Sequence, residues 1–136
     1  MGPELDVTNE VGIWLLASLE VAGAIAIASF WRSWFRESHD QDWLPPGYVL
    51  HERAFIWSDA VLAVLLVVSA ILLTSGHRWG RSLSLVSAGM LAFLGVLDAA
   101  YFWHNGLFKP ERGGVANLLV VAAVLALSAV LVIGLG

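Results

Sequence analysis

Cysteine is absent from the 136-residue chain. That removes disulfides, thiolate catalysis, cysteine-ligated zinc and iron–sulfur clusters, and with them the four-span quinone-linked thiol oxidoreductases. Charge is scarce as well: 13% of residues are Asp, Glu, Lys or Arg, and the net charge of −4 comes mostly from the amino-terminal segment and the first loop. No basic stripe or polybasic run offers itself to nucleic acid, so nucleic-acid binding is excluded. There is no GxSxG, no glycine-rich phosphate loop and no nucleophile beside a base. His51 and Glu52, with His39, Asp40 and Asp42 before them, lack the HxxxH or HExxH spacing that marks a metal site, so no metal or cofactor is expected.

What the chain has instead is hydrocarbon. With 59% apolar residues and a mean hydropathy of +0.79, it reads as an integral membrane protein. A hydrocarbon layer roughly 30 Å thick takes about 20 apolar helical residues to cross. Four segments qualify: Ile13 to Trp31, Ala54 to Ser75, Leu83 to Trp103, and Val115 to Leu135. The first is read as a span rather than a signal peptide, because Met1 to Glu10 carries Glu4, Asp6 and Glu10 and no Lys or Arg.

Glycine and proline punctuate the connections. SGHRWGRS and NGLFKPERGG are short turns, so spans two and three, and three and four, are expected as antiparallel neighbours in an all-α, up-down four-helix bundle. The first loop, residues 32–53, turns at Pro45, Pro46 and Gly47 and opens with WRSWFRES. That alternation of aromatic and basic groups reads as an interfacial anchor, with a partner-docking site as the alternative. Arg32, Arg36, Arg53, Lys109 and Arg112 flank one side of the spans, and Arg78 and Arg81 the other. The excess places the first and third loops in the cytoplasm and both termini outside, in the inner (plasma) membrane.

Inside this apolar chain, three acids need an explanation. An ionised carboxylate in hydrocarbon costs several kcal/mol, so Glu20, Asp59 and Asp98 must face protein or water. At 100° per residue, Asp98 shares a face with Ser84, Ser87, Tyr101 and Asn105, and Asp59 a face with Ala63, Leu66 and Ala70. Glu52 joins the Asp59 stripe if its helix begins early. Asn117 lines up with Val121, Val124 and Ser128. A rise of 1.5 Å per residue puts Asp59 roughly 7 Å from the cytoplasmic start of span two and Asp98 about 9 Å from the end of span three. The candidate site is therefore an inner-leaflet cluster of Asp59, Asp98, Tyr101, Asn105 and Asn117, with Glu20 as a second station in the outer half. Two carboxylates at one depth in a low dielectric do not both stay charged unless a cation lies between them. The structural alternative has Asp59 capping span two or bonding Asn117 and Tyr101, which would merely lock the bundle.

Within span one, SLEVAGA resembles the glutamate-bearing first helix of small multidrug resistance transporters. The resemblance implies an acid at Glu20 that exchanges protons for cationic drugs, although this chain has a much longer first loop and the extra acids Asp59 and Asp98. GHRWGRSLSLVSAGMLAFLGVLDAAYFWHNGLF looks like parts of uncharacterised small bacterial four-span proteins and implies no activity. Three functions compete: binding or transport of protons or a small cationic or amphipathic ligand, with a homodimer expected for transport; an accessory subunit docked on a membrane partner; and an enzyme acting on a lipid-like substrate.

Overall fold

A computed structural model describes residues 7–136 and, of their side chains, those from Glu10 onward. The acidic stretch with Glu4 and Asp6 lies outside the described residues. The described chain is helical throughout, with α1 Val7–Arg36, α2 Tyr48–Ala54, α3 Ile56–Thr74, α4 Trp79–His104 and α5 Gly114–Leu135. A 3-10 turn, Pro110–Arg112, stands before α5. Four stretches are long and apolar enough to cross a membrane: Glu10–Arg36, Tyr48–Thr74, Trp79–His104 and Gly114–Leu135.

One pattern explains how the helices pack. The inward residues recur at alternating steps of three and four: Ala17, Glu20, Ala24, Ile27, Trp31 and Trp34 on α1; Asp59, Leu62, Leu66, Ser69 and Leu73 on α3; Ser84, Ser87, Leu91, Leu94 and Asp98 on α4; Gly114, Asn117, Val121, Val124, Ser128 and Leu131 on α5. A 3.5-residue repeat keeps one seam of each helix facing its neighbours, as in coiled coils and four-helix bundles. The other faces are apolar and exposed, including Trp14, Ile25, Phe93 and Ile133. An apolar exterior of that extent suits acyl chains and not water.

The helices form a ring in which α1 packs on α3, α3 on α4, α4 on α5, and α5 returns to α1 along the sparsest seam. Antiparallel pairing shows in single contacts. The indole of Trp31, late in α1, meets Asp59, early in α3, while Arg81 at the start of α4 donates to the Leu135 carbonyl at the end of α5. Both tight turns close by the same device. Gly76 and Gly106 sit at φ 72° and 66°, and the next amide reaches back to the helix, His77 to the Leu72 carbonyl and Leu107 to that of Phe102. Glycine adopts this left-handed conformation at no steric cost. Several hydroxyls inside the spans bond carbonyls: Thr74 on Ala70, Ser87 on Leu83, and Ser128 across helices on Ala88.

The first loop departs from expectation. Helix α1 continues through WRSWFR to Arg36, and Trp31 and Trp34 are buried on its inward stripe. Of the aromatics in that segment only Phe35 is exposed. The alternating look of WRSWFR is the 3-4 stripe continuing past the apolar run.

Where α3 turns into α4, a Cβ at Gly80 would come within 2.6 Å of the Leu73 backbone nitrogen, whereas one at Gly89 would meet nothing within 4 Å. Gly80→Ala is expected to lower unfolding stability in detergent by about 1–3 kcal/mol. Gly89→Ala should leave it unchanged or slightly higher, by up to about 1 kcal/mol. Thermal melts of the two variants side by side check the close approach of α3 and α4.

Candidate functional site

Residues 37–47 double back from α1 and deliver α2 to the end of the bundle. His39 anchors the return, its ring stacked 4.2 Å from that of Trp34 and its Nε2 2.8 Å from the Trp34 carbonyl. Gly47, at φ 78°, starts α2, and Leu44 and Tyr48 pack on the Phe102, Leu107 and Val121 cluster. At Phe55 the chain takes one tight turn, with its amide on the Glu52 carbonyl, and runs on as α3. The span thus begins at Tyr48, early enough for Glu52 to reach the bundle with Asp59.

Three helices then bring ionisable groups together. A ring nitrogen of His51 and carboxylate oxygens of Glu52 and Asp98 all lie within 4.8 Å of one another. Asp59 is near enough for its charge to act on both Glu52 and Asp98. Its Oδ2 accepts a 2.8 Å hydrogen bond from Trp31 Nε1, which ties α1 to α3. The His51 imidazole lies flat on the Tyr101 ring, 3.6 Å away with an 8° interplanar angle, and Phe55 flanks it at 5.0 Å.

The electrostatics of this group are one-sided. No Lys or Arg is among the groups acting on Glu52, Asp59 or Asp98 among the described residues. Glu52 is 5% exposed, yet its Oε1 has no hydrogen-bond partner, and neither has Nε2 of His51. Buried polar atoms are rarely left so, because each forfeits its hydration without return. Asp59, Asp98 and His51 are half-buried.

Of the residues singled out from the sequence, Asp59, Asp98 and Tyr101 stand in this group. The two asparagines serve backbone carbonyls: Asn105 Nδ2 donates to Tyr101 at 2.8 Å and Asn117 Nδ2 to Leu107 at 2.8 Å. Asp59 bonds neither Asn117 nor Tyr101, and α3 has no side-chain cap. Glu20 lies about 16 Å along α1 from Trp31. It is fully buried beside the Ser84 hydroxyl, at a geometry that makes no hydrogen bond, and Ser69 is buried and unpartnered as well. Sequence reasoning passed over His51, because its companion Asp98 is far along the chain on another helix. The signal was Glu52 two helical turns before Asp59, with a histidine beside it.

Fold and exterior define the class, a multi-pass membrane helix bundle with carboxylates on its inward faces. The chain belongs to the family described as Domain of unknown function (DUF8058), which matches residues 50–134. That region holds His51, Glu52, Asp59, Asp98 and Tyr101 and leaves out α1 with Glu20 and Trp31. No curated protein and no solved structure matches the chain.

A double-mutant cycle tests the bond that holds Asp59. Trp31→Phe and Asp59→Asn, singly and together, are expected to show a coupling of about 0.6–1.7 kcal/mol in unfolding, the range of interhelical hydrogen bonds in membranes. Additive effects would show that Trp31 and Asp59 do not meet.

Proposed function

We propose that the chain is a cation- or proton-binding protein of the inner (plasma) membrane, with Glu52, Asp59 and Asp98 as its charge site. One observation carries this reading: three carboxylates from three helices converge with no Lys or Arg partner among the described residues, and one of them is buried with a free oxygen. In a low dielectric such a group either takes up protons or neutralises itself with a cation. The excess of Arg and Lys at this end supports a cytoplasmic placement of the site and outer termini. Glu20, buried in the other half, is a second acidic station for a species crossing the membrane. Four spans enclose little volume, so transport would use a homodimer.

Size favours a proton or a small ion over a drug-sized molecule, which needs roughly 300–1,000 Å³. The donor atoms lie within 4.8 Å of one another. Two surface clefts, one lined by Glu10, Trp14 and Ser18 and the other by Arg78, Trp79 and Ser82, sit at the opposite end of the bundle and touch none of these carboxylates. A second reading, an accessory subunit whose polar residues only specify packing, is favoured by the bonds of Asp59, Asn105 and Asn117. It leaves Glu52 unexplained.

Thermal melts of the detergent-solubilised protein in Na⁺, Mg²⁺ and tetraphenylphosphonium, each over a pH series, test the proposal. At a cation concentration about 100 times its Kd, the wild type gains about 2.7 kcal/mol. The double variant Glu52→Gln, Asp98→Asn melts cooperatively without that gain or the wild type's pH dependence. Identical responses of the two proteins would refute the charge site. Because the chain has no cysteine, topology can be read separately. Glu111→Cys is expected to react with an impermeant maleimide from the cytoplasmic side only, and Ser75→Cys from the outside only.

A further inference from the structure

The same site has a more specific chemistry, and the inference drawn from it rests on the cation reading above. We propose that His51, Glu52 and Asp98 form a binding site for a divalent transition-metal ion of the Zn²⁺, Mn²⁺ or Co²⁺ type. The argument starts from the donors. One imidazole nitrogen and two carboxylate oxygens lie within 4.8 Å of one another. Ligand atoms about 2.0–2.1 Å from a tetrahedral ion stand roughly 3.3 Å apart, so side-chain rotations of an ångström or so close the set. Three protein ligands with a further position for water is a common coordination pattern for zinc.

Each of two of these side chains has a donor atom without a partner. Oε1 of Glu52 and Nε2 of His51 are buried and make no hydrogen bond, and Glu52 is 5% exposed. Neither a proton shared among carboxylates nor an alkali cation calls for an imidazole in the set. Oxygen-only sites suit Mg²⁺ and Ca²⁺, an imidazole brings in the transition metals, and the lack of cysteine argues against Cu⁺. Charge agrees as well, since two carboxylates neutralise a divalent ion and Asp59 adds negative potential from just outside.

The surroundings orient the ligands. Stacking on Tyr101 and the flank of Phe55 restrict the His51 ring, and Tyr101 stands one turn from Asp98 on α4, so ligand and wall move together. Trp31 holds Asp59 through its indole N–H. Groups that hold and polarise ligands in this way typically change metal affinity tenfold or more. A bound ion would join α2 to α4, helices otherwise linked at this point by one ring stack.

The test uses full-length, tag-free protein in detergent, with Co²⁺ as a visible probe and Zn²⁺ as competitor. One Co²⁺ per chain is expected, with the absorption of a four- or five-coordinate nitrogen and oxygen site, displaced by Zn²⁺. His51→Gln, Glu52→Gln and Asp98→Asn each abolish the spectrum at the Co²⁺ concentration that saturates the wild type. Asp59→Asn weakens binding by about tenfold to hundredfold. His104→Gln, at an exposed helix end, changes nothing. Since the neutral isosteres remove buried charge, cooperative melting of each variant establishes that it is folded; should one fail, the His51 variant still reads the nitrogen ligand. No Co²⁺ or Zn²⁺ binding, or binding that survives all three substitutions, overturns the metal site. If the Na⁺ or proton-linked stabilisation still depends on Glu52 and Asp98 in that event, the cation reading stands alone; if that is absent too, both fall.

Discussion

An acid in a helix surrounded by acyl chains has one tolerable direction, inward, and this requirement organises the bundle. Glu20, Asp59 and Asp98 each occupy the 3-4 stripe that also carries the leucines and alanines of the core. Small buried residues on or beside these stripes, Ala17, Ala24, Ala88 and Gly95, let the helices approach closely enough for the polar groups to be covered. The price in stability is visible at Glu20 and Glu52, which are buried with carboxylate oxygens that no donor reaches.

The two ends of the bundle treat their acids differently. At the α2 end the start of the second span brings Glu52 and His51 to Asp98 while the Trp31 indole holds Asp59 in place. Five groups from α1 to α4 thus meet at one end of the bundle. In the other half, Glu20 is sealed beside Ser84, with no exposure at all. A path from one to the other would run along the inward stripes of α1 and α3, past Ala24, Leu62 and Leu66. Those residues are tightly buried, so passage of an ion would need the helices to separate along a seam, and α1 against α5 is the sparsest.

Much of this was readable from residue order. Length and composition settle the four spans, and the positions of Asn-Gly and Ser-Gly announce both tight turns, which close as glycine-ended helices. Asp59 and Asp98 could be placed at one depth because helical rise is constant. What escaped was anything that depends on contact between segments far apart. The WRSWFR segment looked interfacial because aromatics beside arginines usually are, yet α1 runs on, and Trp34 turns inward to stack on His39. Asn105 and Asn117 have the right register for the site but are drawn to nearer carbonyls at the α4–α5 turn. His51 carried no motif because its companion ligand is contributed by another helix.

The central claim is that α2 carries residue 52 to residue 98 on α4, and the absence of cysteine makes this directly measurable. In a Glu52→Cys, Asp98→Cys double variant, dibromobimane, which becomes fluorescent only on bridging two nearby thiols, is predicted to cross-link the pair within one chain. A Glu20→Cys, Asp98→Cys variant is predicted to stay dark. A dark first pair in folded protein, or equal fluorescence from both, would contradict the account.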